Sequence, residues 1–227
     1  MSKNLWLSIL ALPAAAAQPW IVSVWAPQEA SMGDHFRIFF LHLPLAWWGL
    51  FSLFTVFLGS IFFLAKRTCP PSFERWAQAA TETGVLFSVL ALATGMVWAK
   101  AAWGVWWRWE PKLFTTLLLC IMYVVCILLR HTSGNTTKSK IMCAVFAILA
   151  FVNVPFIFLS SRWLQGAHPP PLVLKGNMAT EMLPALLACL AGMGIVWLAI
   201  TRLRFDQINL SAKIDLLITK QNRERLK

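Results

Sequence analysis

Charged residues are scarce in this chain of 227 residues: only 13% of them are Asp, Glu, Lys or Arg, whereas 59% are hydrophobic. A soluble domain needs more polar side chains than this to cover its surface, so the composition excludes an ordinary soluble protein. Runs of short alternating strands between turn residues are also missing, which argues against a β-barrel. The composition therefore indicates helices that lie in a membrane.

Several catalytic and metal-binding motifs are missing as well. The five cysteines form no CxxC pair and four of them fall in apolar runs, which indicates buried small hydrophobes rather than disulfides or a thiolate metal site. The absence of CxxCH excludes a c-type cytochrome. No GxxxxGK[ST] loop occurs, so any ATP-driven transport would need a partner, and neither a Ser-His-Asp nor an HExxH arrangement stands out.

Six apolar runs are long enough to cross a bilayer, for which roughly 20 mainly apolar residues are required. They lie at about 5–25, 38–65, 83–99, 113–129, 141–159 and 183–200. The sequence thus predicts an all-α membrane protein, a bundle of six transmembrane helices that forms a single polytopic domain over residues 1–227.

The distribution of Lys and Arg predicts the orientation. With the N-terminus inside, fourteen of these residues fall on the inner side and six on the outer side. The positive-inside rule therefore favours two cytoplasmic termini. Seven of the inner cations lie in 202–227, which we interpret as a basic amphipathic cytoplasmic tail. Because the net charge of +11 is scattered between apolar runs, we interpret it as a topology signal and expect no nucleic acid partner.

The first apolar run has a second interpretation. Lys3, an apolar stretch and the small residues Ala14, Ala15 and Ala16 are typical of a signal peptide with its cleavage site. Removal of this segment would leave the orientation of the later spans unchanged.

Tryptophan is concentrated in the outer loop after the third span, where five tryptophans fall within residues 98–109. The headgroup region attracts tryptophan to helix ends, but this accounts for one or two residues at each end. Three cations and one carboxylate share the same loop. We interpret this combination as an amphipathic shelf for a large planar ligand that carries carboxylates.

Two of the four histidines are candidate ligands. His42 begins the second span and His168 lies between the fifth and sixth spans, so both are expected on the outer side. Two neutral imidazoles can supply both axial ligands of a haem iron. Each could instead be a structural histidine, and His35 and His131, in polar surroundings, are weaker candidates.

Three stretches resemble CcmC, a family of haem exporters in cytochrome c maturation that belongs to the tryptophan-rich WWD group. The first is 36–44 (FRIFFLHLP), similar to the family's R-I-x-Y-x-H-V-P with its axial histidine. The second is 95–110 (GMVWAKAAWGVWWRWE), similar to the WWD segment. The third comprises Asn153-Val154-Pro155, Ser160, Trp163 and His168. The similarity extends from about Arg37 to His168.

The resemblance implies that the protein binds haem b at the periplasmic face of the inner membrane and delivers it to a periplasmic haem chaperone. It implies transport and hand-over rather than an enzyme, with ABC transporter subunits, a small membrane subunit and membrane lipid as partners. The iron ligands would be His42 and His168. The aromatic shelf would comprise Trp103, Trp106, Trp107 and Trp109. Candidates for contact with the propionates or the chaperone are Arg37, Lys100, Arg108 and Lys112.

The chain departs from the family at several positions. Glu110 stands where the family has Asp, and we keep it among the haem-site candidates because it preserves the charge. Lys112-Leu113-Phe114 replaces Arg-Leu-Thr, and Leu164 replaces a second tryptophan after Trp163.

Three alternatives remain open. A b-type membrane cytochrome could also use two histidines, although electron transfer favours haems stacked within the bundle. A structural transporter subunit would need neither histidine. A cytochrome c synthase of the related longer family would have further histidines and a large outer domain, and neither is found in this sequence.

Overall fold

The computed structural model describes residues 5–29, 32–66, 70–134, 136–163 and 179–225. Its helices are α1 (Leu5–Trp20), a π-helical turn (Ile21–Trp25), a 3₁₀ turn (Asp34–Ile38), α2 (Phe39–Lys66), α3 (Pro71–Trp103), α4 (Pro111–Ser133), α5 (Thr137–Val152), α6 (Val154–Trp163) and α7 (Met182–Arg225).

Within these described ranges, six helical segments are long and apolar enough to cross a membrane. They are Trp6–Trp25, Asp34–Lys66, Pro71–Trp103, Pro111–Ser133, Thr137–Ser160 and Met182–Arg225. The prediction of an all-α protein with six spans is therefore confirmed, and the protein is a multi-pass membrane protein.

Two helices extend well beyond their apolar windows. The third span was predicted at 83–99, but α3 begins at Pro71. Hydropathy missed its first turns because they contain polar residues as well as apolar ones. The sixth was predicted to end near Ile200, and α7 continues without a break to Arg225. Hydropathy identifies the part of a helix that is apolar enough for the hydrocarbon core of a membrane. The helix itself can extend farther, because its backbone hydrogen bonds do not require apolar side chains.

The fifth span is two helices with a break at Asn153. Pro155 has no backbone N–H and cannot donate to the preceding turn, which explains why α5 ends at Val152 and α6 begins at Val154. The side chain of Asn153 donates to the carbonyl oxygen of Thr115 at 2.6 Å. This bond connects the break to the first turns of α4.

Helix α2 lies in the centre of the bundle, where it packs against α3, α5 and α7. Its contact with α3 is close because glycines face large or polar neighbours. A Cβ added at Gly84 would lie 2.6 Å from Leu53 Cδ2, and one added at Gly49 would lie 3.0 Å from Ser88 Oγ. Ser52 also donates to the carbonyl of Ala80 at 2.8 Å. Small residues of this kind allow membrane helices to approach one another.

A tryptophan pair joins α2 to α7. The rings of Trp48 and Trp197 stack with centroids 5.0 Å apart, and Trp48 Nε1 donates to the carbonyl of Leu190 at 2.8 Å. Gly194 provides the space, since a Cβ there would lie 2.4 Å from Trp48 Cζ2. Helix α1 packs on the other side of α7.

The only tyrosine of the chain, Tyr123, joins three helices. It is fully buried, and its hydroxyl lies 3.3 Å from the carbonyl oxygen of Leu53 on α2 and 3.1 Å from that of Ala147 on α5.

The four described cysteines have free thiols and are buried, as their apolar surroundings predict, and Cys69 lies outside the described residues. Two of them face each other across α4 and α5: the sulfur of Cys126 lies 3.7 Å from the carbonyl oxygen of Cys143, and the sulfur of Cys143 lies 3.4 Å from that of Cys126.

Candidate haem site at one end of the bundle

The first turn of α2 and the last turns of α3 lie at the same end of the bundle. Helix α2 begins directly after the 3₁₀ turn Asp34–Ile38, and His42 follows within its first turn. Its ring faces α3. The structure therefore brings His42 close to Trp98, the first tryptophan of the tryptophan-rich segment.

Two hydrogen bonds fix the ring of His42. Its Nδ1 atom lies 2.9 Å from the carbonyl oxygen of Ala91 and 3.1 Å from Thr94 Oγ1. A carbonyl oxygen only accepts, so Nδ1 carries the proton and donates it. In the neutral imidazole the other ring nitrogen, Nε2, is then unprotonated, and its lone pair is available to a metal ion. A histidine that ligates a metal commonly donates its other N–H to a backbone carbonyl in this way.

The ring also lies directly against Gly95. A Cβ at this position would come within 3.0 Å of His42 Cε1, which is tighter than ordinary van der Waals contact, and would lie 3.5 Å from Nδ1. The missing side chain of Gly95 therefore creates the space that the imidazole occupies.

Aromatic rings continue from His42 toward the end of α3. The centroid of the buried Trp98 ring is 6.4 Å from that of the His42 ring. The centroid of the Trp103 ring is 5.8 Å from that of Trp98. The guanidinium of Arg108 lies 5.8 Å from the Trp103 ring, within the range of a cation–π interaction. Arg108 also forms an ion pair of 3.8 Å with Glu110.

The segment after α3 is shaped by Gly104. This glycine has φ of 75°, a left-handed conformation that ends α3, and its N–H donates to the carbonyl of Lys100. The ammonium of Lys100 in turn donates to the carbonyl of Gly104 at 2.8 Å. Lys100 therefore stabilises the end of α3, and this carbonyl takes up one of the three N–H donors of its ammonium group.

The remaining tryptophans present an exposed surface. Trp106 and Trp109 are 54% and 76% exposed, and Trp107 contacts Trp109 edge to face at 5.8 Å. The indole N–H of Trp107 is buried and has no hydrogen-bond partner among the residues that the structure describes. A buried donor without an acceptor is costly, so this N–H is available to an acceptor on a bound molecule.

The other candidate cations also belong to this end. Arg37 donates to the carbonyl of Ser23, at the end of the first span, and its Nε lies 3.3 Å from Asp34 Oδ1. Lys112, in the first turn of α4, is close enough for its charge to act on His42. The candidate site thus combines an imidazole, aromatic rings and an excess of positive charge.

The other histidines differ in their positions. His168, together with Leu164, lies outside the described residues, so its distance from His42 is not part of the structure. His35 is exposed in the 3₁₀ turn, and His131 is exposed at the far end of α4. Neither of these two accompanies His42 and Trp98.

Three residues that position His42 were not among the predicted site residues: Ala91, Thr94 and Gly95. Only Gly95 carried a signal, since it begins the stretch 95–110 that resembles the family. The contribution of Ala91 is its backbone carbonyl, which a side-chain pattern does not reveal.

Comparison with known proteins finds several curated relatives. A curated ccmC-like mitochondrial protein of cytochrome c biosynthesis from Marchantia polymorpha is 29% identical over 150 residues, which cover 66% of this chain and 62% of that protein. Heme exporter protein C of Bradyrhizobium diazoefficiens is 30% identical over 153 residues, which cover 67% and 57%. Both alignments span less than two thirds of the relative.

Heme exporter protein C of Paracoccus denitrificans is 26% identical over 231 residues, and the alignment covers 92% of each chain. The sequence model of the family CcmC, heme exporter protein C, matches residues 2–219, almost the whole chain. On this match, together with the six-span fold, the protein belongs to the CcmC family of heme exporter protein C.

Proposed function

We propose that this protein handles haem in cytochrome c maturation: it holds haem at the end of the bundle that carries His42 and delivers it to a periplasmic haem chaperone. Family membership supports the haem-handling role. The observation that carries the proposal is the hydrogen bond from His42 Nδ1 to the carbonyl of Ala91, which leaves Nε2 as a metal ligand.

His168 is the proposed second axial ligand. Four spans separate His42 from His168, so both residues lie on the same side of the membrane when the spans alternate in direction. Haem b supplies an iron with two axial positions, and two neutral imidazoles match that requirement. Trp103, Trp106 and Trp109 would cover the apolar edge of the macrocycle.

The cations of the site are expected to differ in their roles. Arg37 and Lys100 each have a backbone carbonyl as a partner, Ser23 and Gly104 respectively, so we assign them to positioning the loop. Arg108 is about half exposed, and its contacts are a long ion pair with Glu110 and the Trp103 ring, whereas Lys112 acts electrostatically on His42. We therefore propose Arg108 and Lys112 as the charges for the haem propionates or the chaperone surface, with Glu110 setting the orientation of Arg108.

The proposed setting is the inner membrane, with both termini in the cytoplasm and residues 202–227 as a cytoplasmic basic tail of the single polytopic domain. The partners would be the ABC transporter subunits and a small membrane subunit of the maturation complex. Under this proposal the protein transports and hands over its cargo and is not an enzyme.

The direct test is the visible absorption spectrum of the detergent-purified protein, oxidised and reduced. We expect a low-spin haem spectrum in the parent, and its loss or conversion to a high-spin form in His42→Ala and in His168→Ala. His131→Ala is the matched control, because this exposed histidine lies at the opposite end of α4, and its spectrum should equal that of the parent. Equal haem content and spectra in all four proteins would contradict the proposal.

A second experiment tests delivery. Purified protein with bound haem is mixed with a haem-free periplasmic chaperone that has a haem-linking histidine, and the covalent adduct is followed by haem staining of a denaturing gel. We expect adduct with the parent and little with His42→Ala. Release of haem to any apoprotein at the same rate would mean that delivery is not specific.

A further inference from the structure

A cavity lined by basic residues lies at the end of the bundle opposite His42. It has a volume of about 200 Å³ and is bounded by α3, α4, α5 and α7. Arg75 of α3, Arg130 of α4 and Lys140 of α5 line it together with Glu74, and α7 contributes Ile208 and Ala212. The cavity therefore joins four helices and has one apolar wall.

The charges around this cavity do not balance. Lys140 is paired with Glu74 at 2.6 Å, and Glu74 is the only carboxylate among the lining residues. No ion pair within the described ranges includes Arg75 or Arg130, although Arg130 interacts with the Cys143 thiol. The Nε atoms of both arginines are buried and have no hydrogen-bond partner within the same ranges. A buried N–H group without an acceptor is costly, and each of these half-buried arginines has one, which an anion in the cavity could accept.

The depth of the cavity matches the headgroup region of a bilayer. Arg130 follows Lys112 by 18 residues in α4, which is about 27 Å at 1.5 Å per residue. The hydrocarbon core is about 30 Å thick, so Arg130 lies near its boundary when Lys112 lies near the opposite one. Lipid phosphates are concentrated at this boundary of the hydrocarbon core, whereas soluble anions are not.

A crevice next to the cavity points to an amphiphile. It shares Glu74, Arg130 and Lys140 with the cavity and continues into the bundle along Val56, Gly59 and Ala147. The cationic cavity therefore continues into a crevice whose inner part is largely apolar, next to helices that are long and apolar enough to cross a membrane. Basic cavities between transmembrane helices on the cytoplasmic side suit the headgroups of anionic phospholipids.

We propose that this cavity binds the phosphate of an anionic phospholipid, with Arg75 and Arg130 as its donors. The positive-inside rule assigns it to the inner leaflet. A guanidinium can donate two parallel N–H hydrogen bonds to two oxygens of a phosphate, so two arginines can together bind one phosphate group. Because Ile208 and Ala212 close the cavity, the bound lipid joins α7 to α3, α4 and α5.

The test is native mass spectrometry of the detergent-purified, delipidated protein after titration with phosphatidylglycerol or with phosphatidylcholine. We expect one tightly held phosphatidylglycerol in the parent and an affinity about tenfold or more lower in Arg75→Gln/Arg130→Gln, since hydrogen bonds to charged groups are lost. The matched control is Arg223→Gln/Arg225→Gln, which removes two exposed charges from the end of α7 and should bind like the parent.

Two more arms distinguish a lipid phosphate from charge alone and from free phosphate. Arg75→Lys/Arg130→Lys keeps the charge and the fold, and should bind phosphatidylglycerol with intermediate affinity. Inorganic phosphate at millimolar concentration should compete only weakly. Equal retention of phosphatidylglycerol by the glutamine pair and the control would overturn the proposal, and so would phosphate binding as tight as that of the lipid.

The haem spectrum is recorded for the same variants. We expect it to be unchanged in the glutamine pair, because the cavity lies at the far end of the bundle from His42. Loss of haem with unaltered lipid binding would instead assign the cavity to haem. Loss of lipid binding with an unchanged haem spectrum thus reports on the lipid site alone. Loss of the haem spectrum in the His42 and His168 variants reports on the proposed function.

Discussion

The imidazole of His42 lies directly against the backbone of Gly95, at a distance where a Cβ atom would force the ring to shift by a few tenths of an ångström. This contact, between residues that are 53 positions apart in the sequence, determines where the Nε2 atom lies.

The first prediction follows from this contact. Gly95→Ala should displace the ring by a few tenths of an ångström, lengthen the bond to Ala91 and weaken or change the haem ligation. Alanine favours a helix over glycine by about 1 kcal/mol, so the fold should persist. The measurement is the reduced haem spectrum and the haem content per protein.

Ala93→Ser is the control for this substitution, because it lies on the exposed face of the same helix. A haem spectrum in Gly95→Ala identical to that of the parent would show that the close contact does not position the ligand.

The second prediction concerns Arg108. Its ion pair with Glu110 is long and partly exposed, and such pairs contribute little to stability. Arg108→Gln should therefore leave the unfolding temperature unchanged but lower the affinity for haem, with a weaker dependence on salt than in the parent. Arg108→Lys should restore most of the affinity. Haem titrations at low and high salt measure this effect, and a large loss of stability would contradict the assignment.

The third prediction concerns Tyr123. Tyr123→Phe keeps the ring but removes the hydroxyl that lies between the carbonyls of Leu53 and Ala147. The free energy of unfolding should fall by about 1 kcal/mol, as for other hydrogen bonds within membrane proteins. Haem content should not change, because Tyr123 is remote from the proposed site. Unfolding in mixed micelles with increasing dodecyl sulfate measures the difference.

The fourth prediction tests the contact between α2 and α7. In Gly194→Ala the new Cβ would overlap the Trp48 ring, which must move and would strain its bond to Leu190. We expect destabilisation by about 1–3 kcal/mol, as for other overpacked cores. The control is Ala191→Ser on the exposed face of α7, which should unfold like the parent.

The fifth prediction tests the orientation. In a Cys69→Ser background, the remaining cysteines are buried, so a new cysteine is the accessible thiol. A membrane-impermeant maleimide should label Trp109→Cys in intact cells, and Thr219→Cys only after permeabilisation. The opposite pattern would place the termini outside.

Hydropathy predicted the number of spans because each of the six contains an uninterrupted apolar window. It could not predict that α3 begins twelve residues before Thr83, since Glu74, Gln78 and Glu82 lower the local hydropathy while remaining compatible with a helix. Glu82 is also neutralised by Arg204 of α7, a partner 122 residues away.

The candidate site was predicted in part. His42 and the tryptophans were recognisable by residue type and by resemblance to the family. The tautomer of His42 was not, because it depends on a backbone carbonyl of α3 that becomes a partner only when α2 and α3 pack. The close approach of those helices requires Gly49 and Gly84, whose role is defined by the atoms opposite them.

Helix α7 has 44 residues and is therefore about 66 Å long, roughly twice the hydrocarbon thickness. The part beyond Thr201 is about 36 Å long and forms one continuous rod with the part that stacks against Trp48. The first half of that part is held against α3, since Arg204 pairs with Glu82 and both Ile208 and Ala212 line the basic cavity. Residues 213–225 are exposed and form an arm about 20 Å long. A tilt of about 10° at Ala212 would therefore move the Arg225 end of this arm by only about 3 Å.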